Sequence, residues 1–162
     1  MYLFFLYIFP MNLSEKKICF IRSSWHEKIL INFESQFISS WKKAGGNEEN
    51  IEIIITPGVL EIPLQALLKA KTKKYDAIVV SGLIADEQIY RHEFVAQAVI
   101  EHCMNVQMKY EIPLIHSIMT PHRFLSSAGD SGFFENHFIC KAEEACDALV
   151  MTLQNMENNT ML

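Results

Sequence analysis

A basic surplus is missing from this chain: 14 Lys and Arg stand against 19 Asp and Glu, a net charge of −5 with His neutral. General nucleic-acid binding needs a basic face, so the balance argues against that class and favours solubility. Charged residues are sparse, 20% of 162, while apolar residues reach 50%. That composition excludes a disordered chain or a low-complexity linker. The four cysteines, Cys19, Cys103, Cys140 and Cys146, form no CxxC pair. No disulfide scaffold is expected in a chain this long, and reduced thiols are the default. The sequence holds no GxGxxG, no GxxxxGK[ST], no HExxH and no GxSxG. Dinucleotide, P-loop, zinc-protease and esterase readings therefore lack their motifs. No internal repeat or linker interrupts the chain, and at about 150 residues per domain the length is that of one domain.

What is present begins with an oddity. Residues 1–10 are nine apolar residues and a proline, too short a run to span a bilayer. No Lys or Arg precedes Lys16, and Asn12-Leu13-Ser14-Glu15 is not a small-residue cleavage site, so a secretory signal is not supported. Met11 opens a polar leader, MNLSEKK. The first ten residues are expected to be an appendage outside the fold, with a membrane anchor and a strand lent to a neighbouring subunit as the alternatives.

From Lys17 onward, short apolar runs alternate with helical periods. KICFIR, residues 17–22, has the continuous apolar run of a buried parallel strand. In residues 27–44, Leu30, Phe33, Phe37 and Trp41 fall on one helix face, and Gly45-Gly46 stops the helix. Residues 51–55 are β-branched throughout but for one Glu and read as a second strand, followed by the turn Thr56-Pro57-Gly58. Residues 62–71 read as a short helix with Leu64, Leu67 and Leu68 inward and Pro63 in its first turn. A strand at 77–80, a helix at 91–110 carrying Phe94, Val95, Ala98 and Met108, and a strand at 113–119 follow. Residues 120–138 read as irregular or partly helical. Residues 141–156 read as the last helix, with Ala145, Leu149 and Leu153 spaced by four, before a polar tail expected to fray.

This βαβαβαβα order predicts the α/β class, with helices on both faces of a parallel sheet. The expected fold is a three-layer αβα sandwich on a four-stranded parallel sheet, flavodoxin-like in the order 2-1-3-4. Ligands of such sheets bind outside the carboxyl ends of the strands. The loops to search are therefore residues 23–26, 56–61, 82–91 and 120–124.

Those loops hold the chemistry-bearing residues. Trp25 either stacks on a planar ligand or caps the core. Glu61 is either a ligand contact or a charge favoured by a helix start. A loop that enters a helix can hold an anion, and Arg91 offers a fork of donors to a phosphate. His92, the titratable neighbour, lies about 100° round the helix, so one of the two faces the pocket. His122 is either a ligand contact or a surface residue. Asp86 and Glu87 lower the local affinity for anions.

Taken in order, the loops resemble one family. PG-x-x-EIP at residues 57–63, KYDAIVVSG at 74–82 and the FVAQAVI helix look like 6,7-dimethyl-8-ribityllumazine synthases. WH at 25–26, IYRHEFV at 89–95, TPH-x-F at 120–124 and FF-x-x-HF-x-x-K at 133–141 resemble the second, decamer-forming class. The resemblance runs from about Lys17 to Met156. It implies an α/β domain at 17–156, between an apolar leader and N-terminal arm at 1–16 outside the fold and a polar tail at 157–162.

The resemblance also implies a cytoplasmic transferase of riboflavin biosynthesis. Its small-molecule substrates are 5-amino-6-(D-ribitylamino)uracil and 3,4-dihydroxy-2-butanone 4-phosphate. Its products are a lumazine, phosphate and water. No metal or organic cofactor, no nucleic acid and no membrane is implied. The partner is the chain itself, as a pentamer or a dimer of pentamers with sites between neighbours. Trp25, His26, Val59, Leu60, Glu61, Leu83, Ile84, Ala85 and His116 then stand at substrate-binding positions, His116 on the neighbouring subunit. Gln88, Ile89, His137 and Lys141 stand at phosphate-binding ones, the last two from the neighbour. Arg91 and His92 are the catalytic candidates. The loop reads Asp86-Glu87-Gln88 where the class has Asp-Gly-Gly, and Leu60 replaces an aromatic. The alternative is therefore a degenerate relative that binds flavin or lumazine without turnover.

Overall fold

The computed structural model describes residues 11–85, 91–121 and 131–160, with side chains from 136 to 159 in the last segment. Four parallel strands form one sheet in the order β2-β1-β3-β4, where β1 is Ile18–Ser23, β2 Ile51–Thr56, β3 Ala77–Leu83 and β4 Leu114–Met119. The expected three-layer α/β sandwich is what forms. β1 and β3 lie in the middle, and every residue in them is buried. That is why both read as unbroken apolar runs. β2 and β4 are the edges, and their outer positions are partly exposed.

Helix α1, Glu27–Lys43, and helix α4, Ser131–Thr160, cover one face. Helix α2, Ile62–Lys71, and helix α3, His92–Tyr110, cover the other. The α1 stripe forms as read: Leu30, Phe33, Phe37 and Trp41 are all fully buried. Lys42 and Lys43 sit in its last turn, where cations oppose the helix dipole. Gly46 is required just beyond. A Cβ there would lie 2.1 Å from the Trp41 indole, so the chain folds back against that ring.

Two readings change. In α2 the inward residues are Ile62, Ala66 and Ala70, while Leu64 and Leu68 are 56% and 45% exposed. The helix is apolar nearly all round, and small residues are chosen where it approaches the sheet closely. Bulk alone therefore misjudged its phase. The last helix is one continuous element of thirty residues rather than a sixteen-residue one. Its buried stripe runs Phe138, Ala142, Ala145, Cys146, Leu149, Leu153. The terminal turn, expected to fray, is held by an ion pair from Lys16 Nζ to Glu157 Oε1 at 2.8 Å.

The entry of the chain is tied down on the same side. Leu13 is buried in the α1/α4 core with Met11 against it. Asn50 Nδ2 donates to the Ser14 carbonyl at 2.8 Å, and the Lys17 amide donates to Asp76 at 2.8 Å. The apolar run of residues 1–10 lies outside the described residues.

Candidate active site

At the carboxyl end of the sheet, the β1 and β2 loops are stitched together. The Ser24 amide donates to the Thr56 carbonyl and the Ser24 hydroxyl donates to the Pro57 carbonyl, both at 2.8 Å. The Thr56 hydroxyl donates to the Gly58 carbonyl at 2.8 Å, and the Gly58 amide donates to Glu61 Oε2 at 2.9 Å. Each bond satisfies a group that the turn would otherwise leave unpaired. The loop from Thr56 to Glu61 is thereby fixed before any ligand arrives. Glu61 is exposed and uses one acceptor position on Gly58. A carboxylate has about four, so others remain for hydroxyl groups.

Trp25 settles one of the open alternatives. Its side chain is 65% exposed, so it does not cap the core, and an indole face stands at the sheet end. His26, half-buried, takes the left-handed conformation at φ 58° as the residue before α1. Its carbonyl accepts from the Ile29 and Leu30 amides. Val59, Leu60 and Glu61 form a single 3-10 turn, with Leu60 exposed.

The β3 end lies under this turn. A Cβ on Gly82 would come within 2.6 Å of Val59 Cγ1, so glycine permits the close approach of the two loops. Leu83 and Ile84 are buried and Ala85 is half-buried. The Ile84 amide donates to the Met119 carbonyl at 2.9 Å, carrying the β3–β4 pairing one residue past the strand. Gln88, Ile89 and His122 lie outside the described residues.

Arg91 and His92 divide as the 100° step requires. Arg91 precedes α3 and is exposed, with its guanidinium carbon 4.5 Å from the centre of the Phe94 ring. His92 is buried, its Nδ1 3.6 Å from a Glu93 carboxylate oxygen.

The remaining candidates lie on β4 and α4. His116 pairs in register with Val80, three residues below the β4 end. It shares its face with Leu114 and Ile118, which belong to the α2/α3 core. Its Nε2 is buried without a hydrogen-bond partner among the described residues. Burial pushes its pKa below the ordinary value, so the ring is neutral near pH 7. His137 is exposed on α4, and the Lys141 ammonium pairs with Glu144 at 2.6 Å. They lie about 9 and 15 Å along α4 from its first residue.

The three buried cysteines offer no nucleophile. Burial pushes Cys19 to about 12 and Cys103 and Cys146 to about 11, so their thiols stay protonated. Among the described residues no group of three or more His, Cys, Asp or Glu could hold a metal ion. An open apolar groove of about 480 Å³ runs between α2 and α3 and begins at Leu60.

Ser24, Thr56, Gly82 and Phe94 were not singled out from sequence as site residues. Ser24 and Thr56 act by hydrogen bonds across 33 residues, which no local pattern carries. The signal for Gly82 was its place directly after an apolar strand. Phe94 could have been found as a large apolar residue three places after an arginine at a helix start.

Comparison with known proteins gives a consistent picture. The family model described as 6,7-dimethyl-8-ribityllumazine synthase matches residues 15–157. A 6,7-dimethyl-8-ribityllumazine synthase of Rhodococcus erythropolis is 37% identical over 142 residues, 88% of this chain and 92% of its own. A protein named 6,7-dimethyl-8-ribityllumazine synthase 2 from Pseudomonas syringae pv. tomato is 38% identical over 143 residues, covering 88% and 84%. One of the same name from Bradyrhizobium diazoefficiens is 36% identical over 149 residues, covering 91% and 88%.

Proposed function

The chain belongs to the 6,7-dimethyl-8-ribityllumazine synthase family, and from that premise we propose how its residues divide the work. It is a transferase of riboflavin biosynthesis. It condenses 5-amino-6-(D-ribitylamino)uracil with 3,4-dihydroxy-2-butanone 4-phosphate to give the lumazine, phosphate and water.

The pyrimidine stacks on Trp25, and the backbone of Val59, Leu60, Leu83, Ile84 and Ala85 meets its edge. His26 lies beside this surface and fixes the loop that carries Trp25. Glu61 accepts from the ribityl hydroxyls with the oxygen positions not engaged by Gly58. Arg91, being the exposed member of its pair, meets the phosphate with its planar fork of donors, together with the Gln88-Ile89 loop. His92 is the proton carrier of the pair, acting from beneath. Attack of the pyrimidine amine on the ketone forms an imine with loss of water. Phosphate then leaves, the resulting enol becomes a methyl ketone, and the ribityl-bearing amine attacks that carbonyl and closes the ring with loss of a second water. Bringing two bound reactants together supplies much of the rate, so the site needs no strongly activated nucleophile.

His116, His137 and Lys141 belong to the neighbouring subunit's contribution. Their place on β4 and α4, which carry none of the other candidates, agrees with sites shared between subunits of a pentamer or a dimer of pentamers. Residues 17–156 are the catalytic domain, which the family match over 15–157 supports, and residues 1–10 are an appendage to it. A cytoplasmic location agrees with four free cysteines. No helix among the described residues is long and apolar enough to cross a membrane.

The observation that carries this reading is the exposed Trp25 indole, fixed through Ser24 to the loop that bears Glu61. Mixing the purified protein with both substrates is expected to give lumazine absorbance and one phosphate per turnover. Failure to form product at high enzyme concentration overturns it.

A further inference from the structure

Phe94 is 59% exposed, on the outer side of a helix whose inner positions are Ala96, Val99, Cys103 and Val106. The core does not use its ring. Arg91 does: its guanidinium lies 4.5 Å from the ring centre, and the Phe94 amide donates to the Arg91 carbonyl at 3.0 Å. That backbone bond fixes the offset between the two side chains.

A ring partner differs from a carboxylate partner in what it leaves available. A ring carries no counter-charge and takes none of the five N–H donors into an ion pair. An ion pair consumes donors and cancels charge, as Glu34 does for Arg22 through a 2.6 Å bond to Nε and Glu144 does for Lys141. Phe94 therefore restrains a long, rotamer-rich side chain while keeping its charge and its fork open to an anion.

We propose that Phe94 is a positioning residue for the phosphate-bearing substrate, holding Arg91 in place for it. This rests on the reading above that Arg91 meets the phosphate. The test is steady-state kinetics with each substrate varied, together with calorimetric binding of inorganic phosphate to the full chain. Phe94→Leu should raise the KM for the ketone phosphate about two- to fivefold, the size of an exposed cation–π contact. It should weaken inorganic phosphate binding by the same factor and leave the KM for the pyrimidine unchanged. Phe94→Tyr should restore both values. In an Arg91→Ala background, Phe94→Leu should change nothing further.

The inference fails if Phe94→Leu leaves the ketone KM unchanged, raises both KM values alike, lowers the particle mass, or adds to Arg91→Ala. A wild-type chain whose phosphate binding depends on both residues but which makes no lumazine would instead overturn the proposed reaction and uphold this one. A chain that makes lumazine and is indifferent to Phe94 would do the reverse.

Discussion

The two faces of the sheet are built from opposite materials. Under α1 and α4 the bulk is inside: Phe20, Phe33, Phe37, Trp41 and Phe138 are fully buried, and Phe20 packs 5.3 Å from Phe37, centre to centre. Under α2 and α3 the inner helix positions are one large residue, Ile62, and then Ala66, Ala70, Ala96, Val99, Cys103 and Val106. There the bulk is outside, on Leu60, Leu64, Leu68, Phe94 and Met108. Large inner residues close the middle of a face and leave only its β2 edge open. Small ones bring the helices down onto the sheet and leave apolar surface over for another body. The exposed counterparts on the first face are Ile31, Met151 and Met156 on its helices and Ile53 and Ile55 on the edge strand β2.

The largest effect should come from the closed face. Trp41→Ala removes a fully buried indole and should cost about 3–5 kcal/mol by urea unfolding; a cost below about 1 kcal/mol would erase the contrast. Glu34→Ala is expected next, at about 3 kcal/mol or more, because it leaves the buried Arg22 without its charge partner. Arg91→Ala should lower kcat/KM about ten- to a hundredfold, the worth of hydrogen bonds to a charged group, with unfolding unchanged. On the open face, Leu64→Ser should change subunit stability by no more than about 0.5 kcal/mol. If that variant instead lowers the particle mass in light scattering, the outer leucines are shown to be contact surface.

The smallest effect is one of pH. The folded pKa of His116 lies below its ordinary 6.5 because burial disfavours the charged ring. The unfolded chain therefore binds the extra proton first as pH falls. Stability from this group is complete above about 6.5 and is lost as pH drops toward the folded value. Thermal unfolding between pH 7.5 and 5.5 should fall less steeply in His116→Phe than in the parent. An unchanged slope would remove His116 from the acid response.

Much of this was legible in the sequence where burial is one-sided or total. β1 and β3 open on the apolar runs Ile18–Ile21 and Ala77–Val80 because both faces are covered, and the α1 stripe is unambiguous because polar residues separate its members. The place of Trp25 and Glu61 at the carboxyl end of the sheet was legible because parallel topology puts such loop residues at strand ends. Elsewhere the signal failed for stated reasons. In α2, apolar residues lie on every side, so Leu64 and Leu68 outweighed Ala66 and Ala70. The start of α4 was missed because the stripe from Phe138 backward is diluted by polar residues. The choice between Arg91 and His92 depends on where α3 begins, a single residue's difference that propensity does not resolve. Ser24 binds across the sheet to a loop distant in sequence, and nothing local announces it.

The 2.8 Å pair between Lys16 and Glu157 carries a practical consequence. It brings the entry and exit of the fold together at the amino end of the sheet, the far pole from Trp25, Glu61 and Arg91. The described fold thus begins and ends at one pole, and the proposed site lies at the other. A short bridge between the two points would also permit circular permutation, with the new opening made in the exposed turn after α2 around Lys73.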